Sequence, residues 1–101
     1  MSKYKYALVV HPDMPTRILL ERWVRDEGYA TRSAPSGDEA VRMATHSKVD
    51  LIVLDRLAPD SACADVILKL VSDPLASRIP IAFVNADVDA LPIVATCRRL
   101  N

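Results

Sequence analysis

Asp55 closes the run Leu51-Ile52-Val53-Leu54, so a carboxylate stands at the end of a segment apolar enough to be buried on both faces. A carboxylate so placed can act as a nucleophile toward a phosphoryl donor, provided a divalent cation neutralises charge and other groups hold the transferring oxygens. It can equally meet solvent or cap the turn that follows. His11, Pro12 and Asp13 follow the apolar run Tyr6–Val10, and Asn85 follows Ile81-Ala82-Phe83-Val84. His11 can titrate near neutrality, ligate a softer metal, or serve as a hydrogen-bonded pocket residue. Asp13 can cap a helix or turn inward beside Asp55, which makes that pair the weak candidate for a cation; no metal site and no cofactor are otherwise expected. Cys63 and Cys97 are separated from each other and from His11 and His46, without the paired spacing of a zinc site. They read as reduced thiols used in packing.

The elements that position these residues follow from the hydrophobic pattern. Tyr6–Val10 suits a central strand, stopped by Pro12. Asp13 precedes a helical stretch with Pro15 in its first turn, an apolar stripe at Leu19, Leu20, Trp23 and Val24, a Glu21–Arg25 pair, and Gly28 as its stop. Tyr29 to Ser33 is short and mixed, as an edge strand can be. Ser36 stands three residues before Glu39, the spacing at which each side chain satisfies the other residue's free amide, and a helix over Ala40, Val41 and Ala44 runs to about Ser47. Leu51–Leu54 is a second buried strand. After Pro59, either Asp60 or Ser61 can cap a helix that ends near Asp73-Pro74, with Val66, Ile67, Leu70 and Val71 on its apolar side. Pro80 opens the strand Ile81–Val84, and Pro92 is expected to begin a final helix to about Leu100. Strand and helix alternate, the pattern of a doubly wound α/β domain with a parallel sheet covered by helices on both faces. In such sheets functional groups gather beyond the carboxyl ends of the strands.

The chain has 101 residues, 50% of them hydrophobic and 26% charged, with 13 basic residues balancing 13 acidic ones. That supports a single domain over residues 1–101 and argues against disorder. A net charge of zero supplies no field to collect nucleic acid or an anionic membrane. No apolar run approaches the ~20 residues of a membrane span, and no signal segment opens the chain. A soluble, cytoplasmic protein is expected.

The segment Leu51-Ile52-Val53-Leu54-Asp55-Arg56-Leu57-Ala58-Pro59 resembles the phosphoacceptor segment of response-regulator receiver domains, including the proline four residues after the aspartate. Leu8-Val9-Val10, Glu27-Gly28-Tyr29, Ser36-Gly37-Asp38-Glu39-Ala40, Val49-Asp50-Leu51 and Arg78-Ile79-Pro80-Ile81 are similar to that family in the same order. The resemblance covers about residues 4 to 90. It implies a flavodoxin-like sheet, four strands in the order 2-1-3-4, with Asp55 at the phosphoacceptor position and His11, Pro12, Asp13, Pro59 and Asn85 around it. The family's chemistry needs an acid pair after strand one to hold magnesium, a Thr or Ser after strand four, and a lysine after strand five. Here the acid-pair positions carry His11 and Pro12, and the hydroxyl position carries Asn85. The fifth strand and fifth helix have no counterpart expected in the residues after Asn85.

Without a fifth strand, strand four is expected to be an open edge, with apolar side chains of strands three and four uncovered. Ile81, Phe83, Val84, Pro92 and Ile93 would then form an interaction surface for a homodimer or a protein partner. The reading is a signalling module of a bacterial two-component or phosphorelay pathway, without catalysis of its own, that docks a histidine kinase or downstream regulator independently of phosphorylation. The first alternative is a true single-domain response regulator phosphorylated on Asp55 with magnesium. The second is a sensor of a small anion such as a nucleotide, using Arg56 or Arg98 and Arg99.

Overall fold

The computed structural model describes residues 5–55, 62–87 and 90–98; for Asp55 and residues 62–65, 83–87 and 90–98 the description is of the backbone. The elements are β1 (Tyr6–Val10), α1 (Met14–Asp26), β2 (Ala30–Ala34), α2 (Gly37–His46), β3 (Leu51–Asp55), α3 (Ala62–Val71), a 3₁₀ turn at Ala76–Arg78, β4 (Ile81–Asp87) and β5 (Ala90–Arg98). They form one sheet in the order β2-β1-β3-β4-β5. The first four strands are parallel, in the order 2-1-3-4 expected from the sequence.

Strand alternation divides the core between the two faces. Leu8, Val10, Ile52, Leu54 and Ile81 cluster with Ala40 and Ala44 of α2 and with Val66 and Leu70 of α3. Ala7, Val9 and Val53 cluster with Leu20 and Val24 of α1. β1 and β3 are apolar at every core position because helices cover both sides of them. Each fully buried Leu, Ile or Val in these clusters stabilises the fold by about 1.5–3 kcal/mol.

Helix ends follow local chemistry. α1 stops in a Schellman arrangement: the Gly28 amide donates to the Arg25 carbonyl at 2.9 Å and the Tyr29 amide to the Val24 carbonyl at 3.2 Å. Gly28 holds φ at 101°, a conformation that L side chains resist. At the start of α2, Ser36 Oγ accepts from the Glu39 amide at 3.3 Å. The return half of the expected capping box is replaced, because the Glu39 carboxylate pairs with Arg42 one turn along the helix. Arg25, expected to pair with Glu21, donates instead to Thr31 Oγ1 at 3.4 Å. Gly37 lets α2 approach α3: a Cβ there would lie 3.1 Å from Val66 Cγ2 and 3.3 Å from Val66 Cα. The candidate caps of α3, Asp60 and Ser61, lie outside the described residues, as do Arg56, Pro59, Arg99 and Leu100.

Beyond Val84 the structure corrects the sequence reading. β4 continues to Asp87, so Asn85 lies within the strand, and the segment expected to be a helix from Pro92 is the extended strand β5. β5 runs antiparallel to β4, with Ile81 opposite Arg98, Asn85 opposite Ile93 and Asp87 opposite Ala90. Only two residues separate Asp87 from Ala90, too few for the crossover that a parallel strand needs, so the chain returns as a hairpin. The β-branched Ile93, Val94 and Thr96 suit a strand and oppose the helix that Pro92 alone would permit. The edge expected to be open is therefore closed. Phe83, Val84 and Ile93 are paired positions within the sheet. Ile81 is 2% exposed and belongs to the core, so it cannot serve as a docking residue.

Candidate functional site

The register gathers the expected site at one edge of the sheet. Val10 pairs with Leu54, so His11 on one strand and Asp55 on the next each stand one residue further on. Asp55 itself pairs with Val84, which brings Asn85 to the same edge. This is the carboxyl edge of the parallel strands, where doubly wound folds place their sites.

His11 is buried, and its amide extends the β1–β2 ladder by donating to the Ala34 carbonyl at 3.1 Å. Its Nδ1 accepts from the Asp13 amide at 2.9 Å. Arg17 reaches back from α1 to donate through Nη1 to the His11 carbonyl at 2.9 Å. The loop from β1 to α1 is thus tied at the imidazole ring and at the backbone. Pro12, between them, faces solvent and offers no side-chain ligand.

Asp13 has extended backbone, with φ −87° and ψ 119°, and is the N-cap of α1. Its Oδ2 accepts from the Thr16 hydroxyl at 2.6 Å and from the Thr16 amide at 3.0 Å. Those two bonds, the hydroxyl foremost, hold its carboxyl below the usual range, with the nearby His11 and Arg17 adding to the shift and desolvation opposing it. Of the two roles open to Asp13 in the sequence, the structure shows the cap. Thr16 and Arg17 were not singled out in the sequence, although the Asp13-x-x-Thr16 spacing is that of a cap and the amide it receives.

Arg98 is placed away from this edge. It pairs with Ile81 at the start of β4, and Ile81 pairs in turn with Ile52, so Arg98 stands toward the amino end of the parallel strands. That position does not join Asp55 in an anion pocket. On the α1 face, a separate groove of about 380 Å³ lies between Trp23, Glu27 and Tyr29 on one side and Leu51, Val53 and Ala82 on the other. Val53 and Ala82 are themselves 0% and 4% exposed, so the broad uncovered patch expected on strands three and four is reduced there to this groove. Among the described residues, the large hydrophobic side chains that meet solvent are Met14, Ile18, Leu68 and Leu75.

Four parallel strands in the order 2-1-3-4, helices on both faces and an aspartate at the end of the third strand are the architecture of a response-regulator receiver domain, and solved structures similar to this chain include several described in those terms. The chemotaxis response regulator CheY4 of Vibrio cholerae superposes with a TM-score of 0.66 at 21% identity, over 80% of this chain and 68% of that one. A response regulator receiver protein from Pseudomonas putida gives 0.69 at 20% identity, over 88% and 75%. A protein of Chloroflexus aurantiacus described as a response regulator gives 0.68 at 28% identity, over 80% and 66%. No family model matches the sequence. Among the described residues, no helix is long and apolar enough to cross a membrane.

Proposed function

We propose that this chain is a receiver-type signalling module of a two-component pathway that works by protein contact, without relying on phosphorylation of Asp55. The observation that carries this reading is the commitment of Asp13. The sole carboxylate in the β1–α1 loop is engaged as the helix cap by both polar groups of Thr16, while the two positions before it hold a buried imidazole and a proline. Phosphoryl transfer to a carboxylate needs concentrated positive charge on the transferring oxygens, and a cation there needs several oxygen ligands, where this loop offers one carboxylate that already accepts two hydrogen bonds at Oδ2.

The partner is a signalling protein, either a histidine kinase or a downstream regulator, met in the cytoplasm. A strip on α1 supports contact beside the strand-end site: Met14 and Ile18, one turn apart, are 60% and 49% exposed. A second reading, phosphorylation of Asp55, is favoured by the register that sets Asp55 at the carboxyl edge. The two are separated by measuring the affinity of the chain for purified histidine-kinase transmitter domains with and without a small phosphodonor and magnesium. Binding that is equal under both conditions, and equal for Asp55→Ala, supports the contact reading. Binding that changes with the donor in the wild type alone supports phosphorylation.

A further inference from the structure

We infer that the outer edge of β5 pairs with the same edge of a second copy, antiparallel across a two-fold axis, so that the two sheets become one. This inference does not depend on the state of Asp55. β5 is the last strand of the sheet on its side and spans nine residues. In an antiparallel ladder, alternate residues turn their amide and carbonyl groups away from the neighbouring strand, so one side of β4 leaves half of β5's backbone groups to be satisfied elsewhere. A long apolar edge of this kind is the form that recruits another strand. The segment Ile93-Val94-Ala95-Thr96-Cys97 carries no charge, and the single charged residue of β5 is Arg98. Pro92, which lacks a donor, lies near the end where the pairing shifts between Asn85 and Asp87, and a second shift, between Phe83 and Val84, falls opposite Val94 and Thr96.

The distribution of charge selects a second copy and an antiparallel orientation. Arg98 stands at one end of β5, while at the other end Ala90 is paired with Asp87. A two-fold axis across the strand brings Arg98 of each copy to the end at which the other carries Asp87, and keeps the two Arg98 positions about 27 Å apart. Parallel pairing would set Arg98 beside Arg98. With a net charge of zero, the two chains have no general repulsion to overcome.

The opposite edge explains why assembly closes at two. β2 is a five-residue strand, Ala-Thr-Arg-Ser-Ala, and is blunted by a charge. Arg32 lies 4.3 Å above the Tyr6 ring and donates through Nε to the Lys48 carbonyl at 3.1 Å. Once the β5 edges are joined, the edges left are two short strands of this type, which do not propagate.

Sedimentation velocity over a range of concentrations tests the inference on the full chain. The wild type is expected to sediment at twice the chain mass. Arg98→Glu should raise the dissociation constant roughly tenfold, since both symmetry-related charge pairs are lost, and Asp87→Arg added to it should restore association. Far-UV circular dichroism checks that each variant is folded. In a cysteine-free background, single cysteines placed in turn at Ile93, Val94 and Ala95 should give disulfide-linked dimers concentrated at one position, that nearest the axis. A chain that is monomeric at all concentrations, or a dimer indifferent to Arg98→Glu and trapped by none of the cysteines, would overturn the proposal.

Discussion

The Asp13 carboxylate accepts hydrogen bonds from both the hydroxyl and the amide of Thr16, at 2.6 and 3.0 Å. The carboxylate of the β1–α1 loop is thereby used to start a helix. That use makes stability depend on pH in a defined direction. The folded-state pKa of Asp13 is lowered, so the cap's contribution is fully present above the ordinary carboxylate range and is lost as pH falls through the lower, folded value. Asp13→Ala should lower the melting temperature at neutral pH and flatten the acid limb of the stability curve. Asp13→Asn, still a good cap, should keep most of the neutral stability and lose the same acid limb. Thermal melts from pH 2 to 7 distinguish these outcomes.

The two glycines of the chain act by different physics, and alanine scanning in urea separates them. Gly37→Ala places a methyl against Val66 Cγ2 and backbone Cα, so α2 must shift from α3, at a cost of about 1–3 kcal/mol. Gly28→Ala meets no atom within 4 Å and suffers only the strain of its positive φ, about 1 kcal/mol. Asn at position 28 should recover part of that loss, whereas Asn at position 37 should be worse than Ala.

Removing β5 tests the closed edge. A chain ended after Asp87 would present the β4 backbone, Ile81 and Ala82 among its residues, as an unpaired apolar edge. Light scattering should show aggregation that the full chain lacks at the same concentration. A truncated chain that stays dispersed and melts at the wild-type temperature would mean that β5 adds nothing to the sheet.

The α1 strip gives a prediction about binding that is separable from folding. Ile18→Asp and Met14→Asp place charges on exposed side chains, so melting should move little, while affinity for a histidine-kinase partner should fall about tenfold or more. Leu68→Asp, on the distant α3 surface, is the control expected to leave that affinity unchanged.

What the sequence disclosed depended on whether the governing interaction is local. β1 and β3 were legible because burial on both faces leaves an uninterrupted apolar run, and α1 because Asp13, Pro15 and Gly28 mark its ends within one chain segment. β5 was hidden because its conformation is set by the edge of β4. Pro92 locally permits a helix start, and the β-branched residues after it together with the pairing of Asn85 with Ile93 and of Asp87 with Ala90 decide for a strand. Asp55 was legible as a strand-end acid. Asp13 was legible as the cap of α1; the Thr16 hydroxyl that joins the Thr16 amide in holding its carboxylate was not singled out. In the same way, Glu39 and Arg25 chose Arg42 and Thr31 over the partners that spacing suggested.

The central claim is that Asp55 stands in a receiver fold whose β1–α1 loop cannot supply the cation that phosphorylation needs. Intact mass after incubation with a small phosphodonor and magnesium at neutral pH tests it most directly. The wild type should gain no phosphoryl group, while His11→Asp combined with Pro12→Asp, which places acids at both positions before Asp13, should gain one that is lost without magnesium or with Asp55→Ala. A magnesium-dependent, Asp55-dependent phosphoryl group on the wild-type chain would contradict the account.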